Sequence, residues 1–100
     1  MPADFLERVI LECRRAPARV WRTALAGLLA DAPATASAAP RMPTLLVSGD
    51  HDVPFPVPEQ DALARTWPAL RVVRYAGVGH APHWEAPDRF VSDVVSFLAR

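Results

Sequence analysis

Two short apolar runs, each broken by glycine and followed by titratable side chains, constrain this chain more than any other feature. The first is Leu45-Leu46-Val47-Ser48-Gly49-Asp50-His51-Asp52, the second Val72-Val73-Arg74-Tyr75-Ala76-Gly77-Val78-Gly79-His80. Between them, Pro58 to Trp67 has helical character. Strand, helix and strand in that order predict a βαβ unit. Two parallel strands joined by one crossover end on the same edge of their sheet. Neighbouring strands lie roughly 4.8 Å apart. A carboxylate just past the first strand and an imidazole just past the second can therefore meet. That edge, outside the carboxyl ends of the strands, is where open α/β sheets bind ligands.

The flanking sequence supplies helices. Phe5, Leu6, Val9, Ile10 and Cys13 repeat at i, i+1, i+4, i+5, i+8, predicting an amphipathic helix from about Ala3 to Arg15. Val20, Trp21, Ala24, Leu25, Leu28 and Leu29 predict a second from about Ala18 to Ala30, the pair forming a helical hairpin. On these stripes Trp21 and Cys13 read as core, as does Trp67 on the crossover helix, where Leu63 and Trp67 are i and i+4. Residues 31–43 are rich in alanine and proline and read as a linker. Strands are expected over Thr44 to Ser48 and Arg71 to Tyr75, the first apolar enough for cover on both faces. Pro58 suits the start of the crossover helix, with Glu59 and Asp61 in its first turn. The chain turns through Pro82, and Pro87 opens a last helix striped by Phe90, Val91, Val94, Val95 and Leu98. The expected organisation is thus a helical hairpin over 1–30, a linker over 31–43 and an α/β segment over 44–100.

Composition narrows the chemistry. Eleven basic and eleven acidic residues cancel in a chain of 100, so no charge excess recommends a nucleic acid or an anionic membrane as partner. All eleven basic residues are arginine, which removes Schiff-base and P-loop lysine mechanisms. Cys13 is the only cysteine, so no internal disulfide forms. There is no secretory h-region at the start and no apolar run near ~18 residues, and the expectation is a cytoplasmic protein.

Asp52 and His80 are the pair with catalytic chemistry. An imidazole needs an acceptor on one ring nitrogen to fix its tautomer and to stabilise the cation formed when the other nitrogen takes a proton. The structural alternative is that Asp50 and Asp52 are turn residues and His80 a loop histidine. A metal site from His51, His80, His83 and a carboxylate is a further alternative. A phospho-acceptor aspartate at the strand end, Asp50 or Asp52, is another, with the absence of lysine against it. His83 and Trp84 read as a pocket lip or as packing under the last helix, and Arg71 and Arg74 as solvated. Val53 and Ala81, which follow the acid and the base, are candidates to line a pocket.

The stretch Pro43-Thr44-Leu45-Leu46-Val47-Ser48-Gly49-Asp50-His51-Asp52, with Gly77-Val78-Gly79-His80-Ala81-Pro82-His83-Trp84-Glu85 and Pro87-Asp88-Arg89-Phe90, resembles the C-terminal part of the α/β-hydrolase fold superfamily. That group includes carboxylesterases, haloperoxidase-like hydrolases, aminopeptidases and hydrolases of aromatic ring-cleavage products. The resemblance covers about Pro43 to Arg100 with specific motifs, and Met1 to Ala30 only loosely, where the family often has cap helices. It implies a partial α/β-hydrolase fold, Asp52 as triad acid and His80 as triad base, in the family's chain order. It implies a small-molecule substrate in the complete enzyme and neither organic cofactor nor metal. The family's nucleophile sits in a Gly-x-Ser-x-Gly elbow upstream of the acid. Ser37, Ser48, Ser92 and Ser96 lie in no such frame. The expectation is therefore the C-terminal portion of a hydrolase, inactive alone, whose partner is the missing N-terminal half or a second copy. A non-enzymatic binding or interaction module is the rival reading, supported by the same lack of a nucleophile.

Overall fold

The computed structural model of the protein describes residues 3–31 and 39–99. The chain divides into two compact units, Met1–Pro33 and Ala34–Arg100. The boundary falls inside the expected linker, of which residues 32–38 lie outside the described residues.

The first unit holds α1 (Ala3–Arg15) and α2 (Ala18–Ala30), with the bounds that the apolar periodicity predicts. Asp4 in the first turn of α1 and Arg14 and Arg15 in its last complement the helix dipole. Pro17 ends the first helix and caps the second, its carbonyl accepting the Val20 N–H at 2.9 Å. The Trp21 indole Nε1 donates to the Cys13 carbonyl at 3.0 Å. The stripes are not a core, however. Neither helix has a buried residue, Trp21 is 52% exposed and Cys13 is exposed. Periodicity identifies a face able to be buried; it does not supply the surface that buries it. The expectation that Trp21 and Cys13 are core residues is corrected accordingly.

The second unit is mixed α/β. Strands β1 (Thr44–Gly49) and β2 (Leu70–Tyr75) pair in parallel, from Thr44 opposite Leu70 to Gly49 opposite Tyr75. Helix α3 (Val57–Thr66) lies between them in sequence and begins one residue before Pro58, with Pro56 as its N-cap. Trp67 is the residue that caps α3 rather than part of its stripe, its N–H donating to the Leu63 carbonyl at 2.9 Å, and it is half-buried. The fully buried residue of α3 is polar: Gln60. Leu45, Leu46 and Val47 are only half-buried, so the sheet lacks the two-sided cover that its apolar run predicts. Pro82, read from sequence as a turn, starts a one-turn helix, α4 (Pro82–Glu85); α5 (Pro87–Leu98) follows with proline in its first turn.

Tyr75 is the one large apolar side chain among the described residues with no accessible surface. Its hydroxyl donates to Asp93 Oδ2 at 2.6 Å, and the Arg89 guanidinium sits 4.0 Å from its ring centroid. These contacts tie α5 to the carboxyl end of β2. No helix among the described residues is long and apolar enough to cross a membrane.

Candidate functional site

The register of the sheet decides what meets beyond it. Gly49 and Tyr75 are opposite, so the loops leaving both strands start side by side. Two backbone hydrogen bonds continue the ladder into the loops, and one bond to a side chain joins them. Asp50 N–H donates to Tyr75 O at 3.1 Å, His51 N–H to Val78 O at 3.0 Å, and Gly77 N–H to Asp50 Oδ1 at 2.7 Å. Gly77 adopts φ +71°, the left-handed region that glycine enters without Cβ strain. At Gly49, a Cβ would coincide with the backbone carbonyls of Val78 and Gly79. Glycine is required there so that the histidine loop can lie against the end of β1.

This brings Asp52 and His80 together. His80 Nδ1 lies 3.0 Å from both Asp52 oxygens, and Asp52 Oδ1 also accepts the Phe55 N–H at 2.8 Å. The carboxylate is buried, with 6% of its side chain accessible, while the imidazole is 65% accessible. An ionised carboxylate only accepts, so the shared proton sits on Nδ1. Nε2 is then the nitrogen with a lone pair to offer. A buried acceptor orienting an accessible imidazole is the arrangement of a general base and its orienting acid.

Gln60 braces the acid loop. Its Nε2 donates to Gly49 O at 2.9 Å and Phe55 O at 2.8 Å, spanning both ends of the segment that carries Asp52. Its Oε1 accepts from Ser48 Oγ at 2.9 Å and Arg74 Nε at 2.8 Å. All four hydrogen-bonding positions of the amide are filled. Arg74 is not simply solvated, as its position in the sequence suggests: Nη2 pairs with Asp61 Oδ1 at 2.6 Å. Arg71 is exposed. Sequence periodicity hides Gln60, because it marks polar residues on a helix as solvent-facing. Its one signal is its place in the first turns after a proline-stiffened loop.

The other candidates separate. Asp50 is tied to Gly77 N–H, and His51 Nε2 stands 3.8 Å from Asp50 Oδ1 on the surface. His83 lies against aromatic rings, its centroid 5.0 Å from Trp84 and 5.9 Å from Phe90. The described residues contain no group of three or more histidine, cysteine or acidic side chains placed to hold a metal, so the expected three-histidine alternative does not assemble. Val53 is 85% exposed; Ala81 is half-buried and its N–H is bound to Glu85 Oε1 at 3.2 Å. No protein-family model matches the chain, and neither the curated proteins nor the solved structures give a significant match.

Proposed function

We propose that Asp52 and His80 are the acid–base half of an α/β-hydrolase-type site acting on a small-molecule substrate. The observation that carries this reading is the pairing of a buried Asp52 carboxylate with Nδ1 of an accessible His80, at 3.0 Å to both oxygens. In this reading His80 Nε2 deprotonates a hydroxyl nucleophile or a water and then protonates the leaving group. Asp52 holds the tautomer and stabilises the imidazolium between those steps. The nucleophile and the oxyanion donors come from a segment other than these 100 residues, which contain no serine in a Gly-x-Ser-x-Gly frame. The parallel strand pair with helices packed on it is compatible with the C-terminal part of that fold.

The phospho-acceptor alternative is disfavoured by the same hydrogen bonds. Asp52 is engaged by His80 and the Phe55 N–H, and one oxygen of Asp50 accepts the Gly77 N–H. The binding-module reading draws on a different observation, the exposed apolar residues of α1 and α2. A test separates it from the enzymatic one. The coding DNA beside this chain is read for an in-frame or adjacent Gly-x-Ser-x-Gly segment, and the joined polypeptide is assayed with p-nitrophenyl esters. Saturable turnover abolished by His80→Ala supports the hydrolase reading. A neighbouring sequence without such a segment, or turnover indifferent to His80, overturns it.

A further inference from the structure

We infer that Glu85 is the positioning residue of the His80 loop, acting on the imidazole through the two backbone N–H groups that flank it. This rests on the reading of His80 as a base. Gly79 N–H donates to Glu85 Oε2 at 3.0 Å, and Ala81 N–H donates to Glu85 Oε1 at 3.2 Å. One carboxylate thus grips the residue before the histidine and the residue after it. Both are charge-assisted hydrogen bonds, roughly twice as strong as neutral ones.

A helix cap alone does not account for this. Ala81 is the N-cap of α4, and a carboxylate reaching back to its N–H is ordinary capping. Gly79 lies outside α4, and its N–H gains nothing for the helix. Residue 79 also has the form this contact needs. A Cβ there would stand 3.1 Å from Glu85 Oε1, tighter than ordinary packing, so glycine gives the carboxylate close access. With the N–H groups on both sides of His80 anchored to one rigid turn, the imidazole has little freedom to swing. Its Nδ1 is held at 3.0 Å from both Asp52 oxygens.

The test reads the His80 tautomer, which capping by itself would not move. The 100-residue chain is labelled with 15N-histidine and examined by NMR at mildly alkaline pH, where imidazole is neutral. His80 of the wild-type chain is expected in a single Nδ1–H form, and Asp52→Asn is expected to lose it. Glu85→Ala should lower the ratio of Nδ1–H to Nε2–H tautomer on the order of tenfold, the effect of losing one charge-assisted hydrogen bond. Added formate, which fills the vacated carboxylate position, should restore it. Glu85→Gln keeps one acceptor and should fall between; it carries the test if the near-ultraviolet signal shows that the alanine variant does not fold. An unchanged tautomer ratio in both variants, even with faster amide exchange at Gly79 and Ala81, makes Glu85 a cap only and overturns the inference. A wild-type His80 with mixed tautomers overturns it too. An inert joined polypeptide with an intact tautomer effect would instead refute the hydrolase reading and leave Glu85's role standing.

Discussion

Tyr75 should make this protein lose stability in a defined alkaline window. Its phenol pKa is pushed up to about 12, first by burial, then by the hydrogen bond to Asp93 and the charge of that carboxylate, with Arg89 pulling the other way. In the unfolded chain the phenol ionises near the ordinary value of about 10. Between these values the folded protein keeps a proton that the unfolded chain has released, so stability falls as pH rises. The contribution is fully present below about pH 10 and lost by about pH 12. One unit corresponds to about 1.4 kcal/mol, so the window spans at most roughly 3 kcal/mol. That figure is an upper bound, because the Asp93 partner of the phenol is only part-buried and solvent screens its charge. Against a total of 5–15 kcal/mol typical of domains, a loss of even half that size is readily measured.

The chain contains a single tyrosine, so tyrosinate absorbance reports this residue alone. Spectrophotometric titration of the folded chain should give a midpoint well above 10, and urea midpoints should fall across the same window. Tyr75→Phe should abolish the pH dependence there. Asp93→Asn should bring the midpoint down without restoring the ordinary value, because burial, the largest cause, remains. A midpoint at the ordinary tyrosine value, or an alkaline stability loss that persists in Tyr75→Phe, would refute the reasoning.

Four further outcomes are expected. Gln60→Leu leaves the Gly49 and Phe55 carbonyls without their donors and Ser48 and Arg74 without their acceptor, and should cost about 3 kcal/mol or more by urea denaturation; a loss below about 1 kcal/mol would mean that water replaces the amide. The 100-residue chain alone should turn over p-nitrophenyl acetate no faster than free imidazole, since nucleophile and oxyanion hole supply most of such catalysis; saturable turnover lost in His80→Ala would reveal an unrecognised nucleophile. In the joined polypeptide, Asp52→Asn should cut turnover ~10⁴-fold with little effect on folding, and Asp50→Asn should be far milder; the reverse order would reassign the acid. The chain alone should self-associate, because Leu25, Leu28 and Leu29 of α2 and Val91, Val95 and Leu98 of α5 are exposed and a two-stranded sheet has unpaired edges; a sharp monomer in sedimentation velocity with cooperative unfolding would count against this.

Local order was legible in the sequence because its signals are local. The i, i+4 stripes and flanking prolines locate α1, α2 and α5, and the two apolar runs locate the strands to within a residue. Parallel pairing puts the ends of both strands on one edge, which is what makes a meeting of Asp52 with His80 legible in the sequence. What the sequence hides is cooperative. Burial is one case: Trp21 and Leu25 have the spacing of a core and face solvent, because a stripe says nothing of its cover. Polar bracing is another. Gln60 and Glu85 matter through backbone groups on other segments, Gly49 and Phe55 for one, Gly79 and Ala81 for the other. Backbone partners leave no side-chain signature to pair with. Pro82 was ambiguous for a third reason: proline begins turns and first helical turns equally well, and the Glu85 and Ala86 N–H groups bonding to the Ala81 and Pro82 carbonyls at 2.9 Å distinguish them.

The bracing also explains how so small a sheet can fix the distance between Asp52 and His80. A long side chain reaching across a gap would leave the acid–base separation to rotamer freedom. Here the rungs Asp50–Tyr75, His51–Val78 and Gly77–Asp50 extend the strand pairing past its end. Gly49 removes the Cβ that would hold the two loops apart. Gln60 closes the acid loop from below and Glu85 grips the histidine loop on both sides of the base. Each loop is thus fixed by a separate side chain, and the two are fixed to each other by two backbone hydrogen bonds and the Asp50 carboxylate. Loosening either brace alone should widen the range of Asp52–His80 distances while the strands stay paired. On the proposed reading, activity would then fail at perturbations too small to unfold the sheet, because the Asp52–His80 hydrogen bond weakens steeply with misalignment while the pairing of β1 with β2 persists.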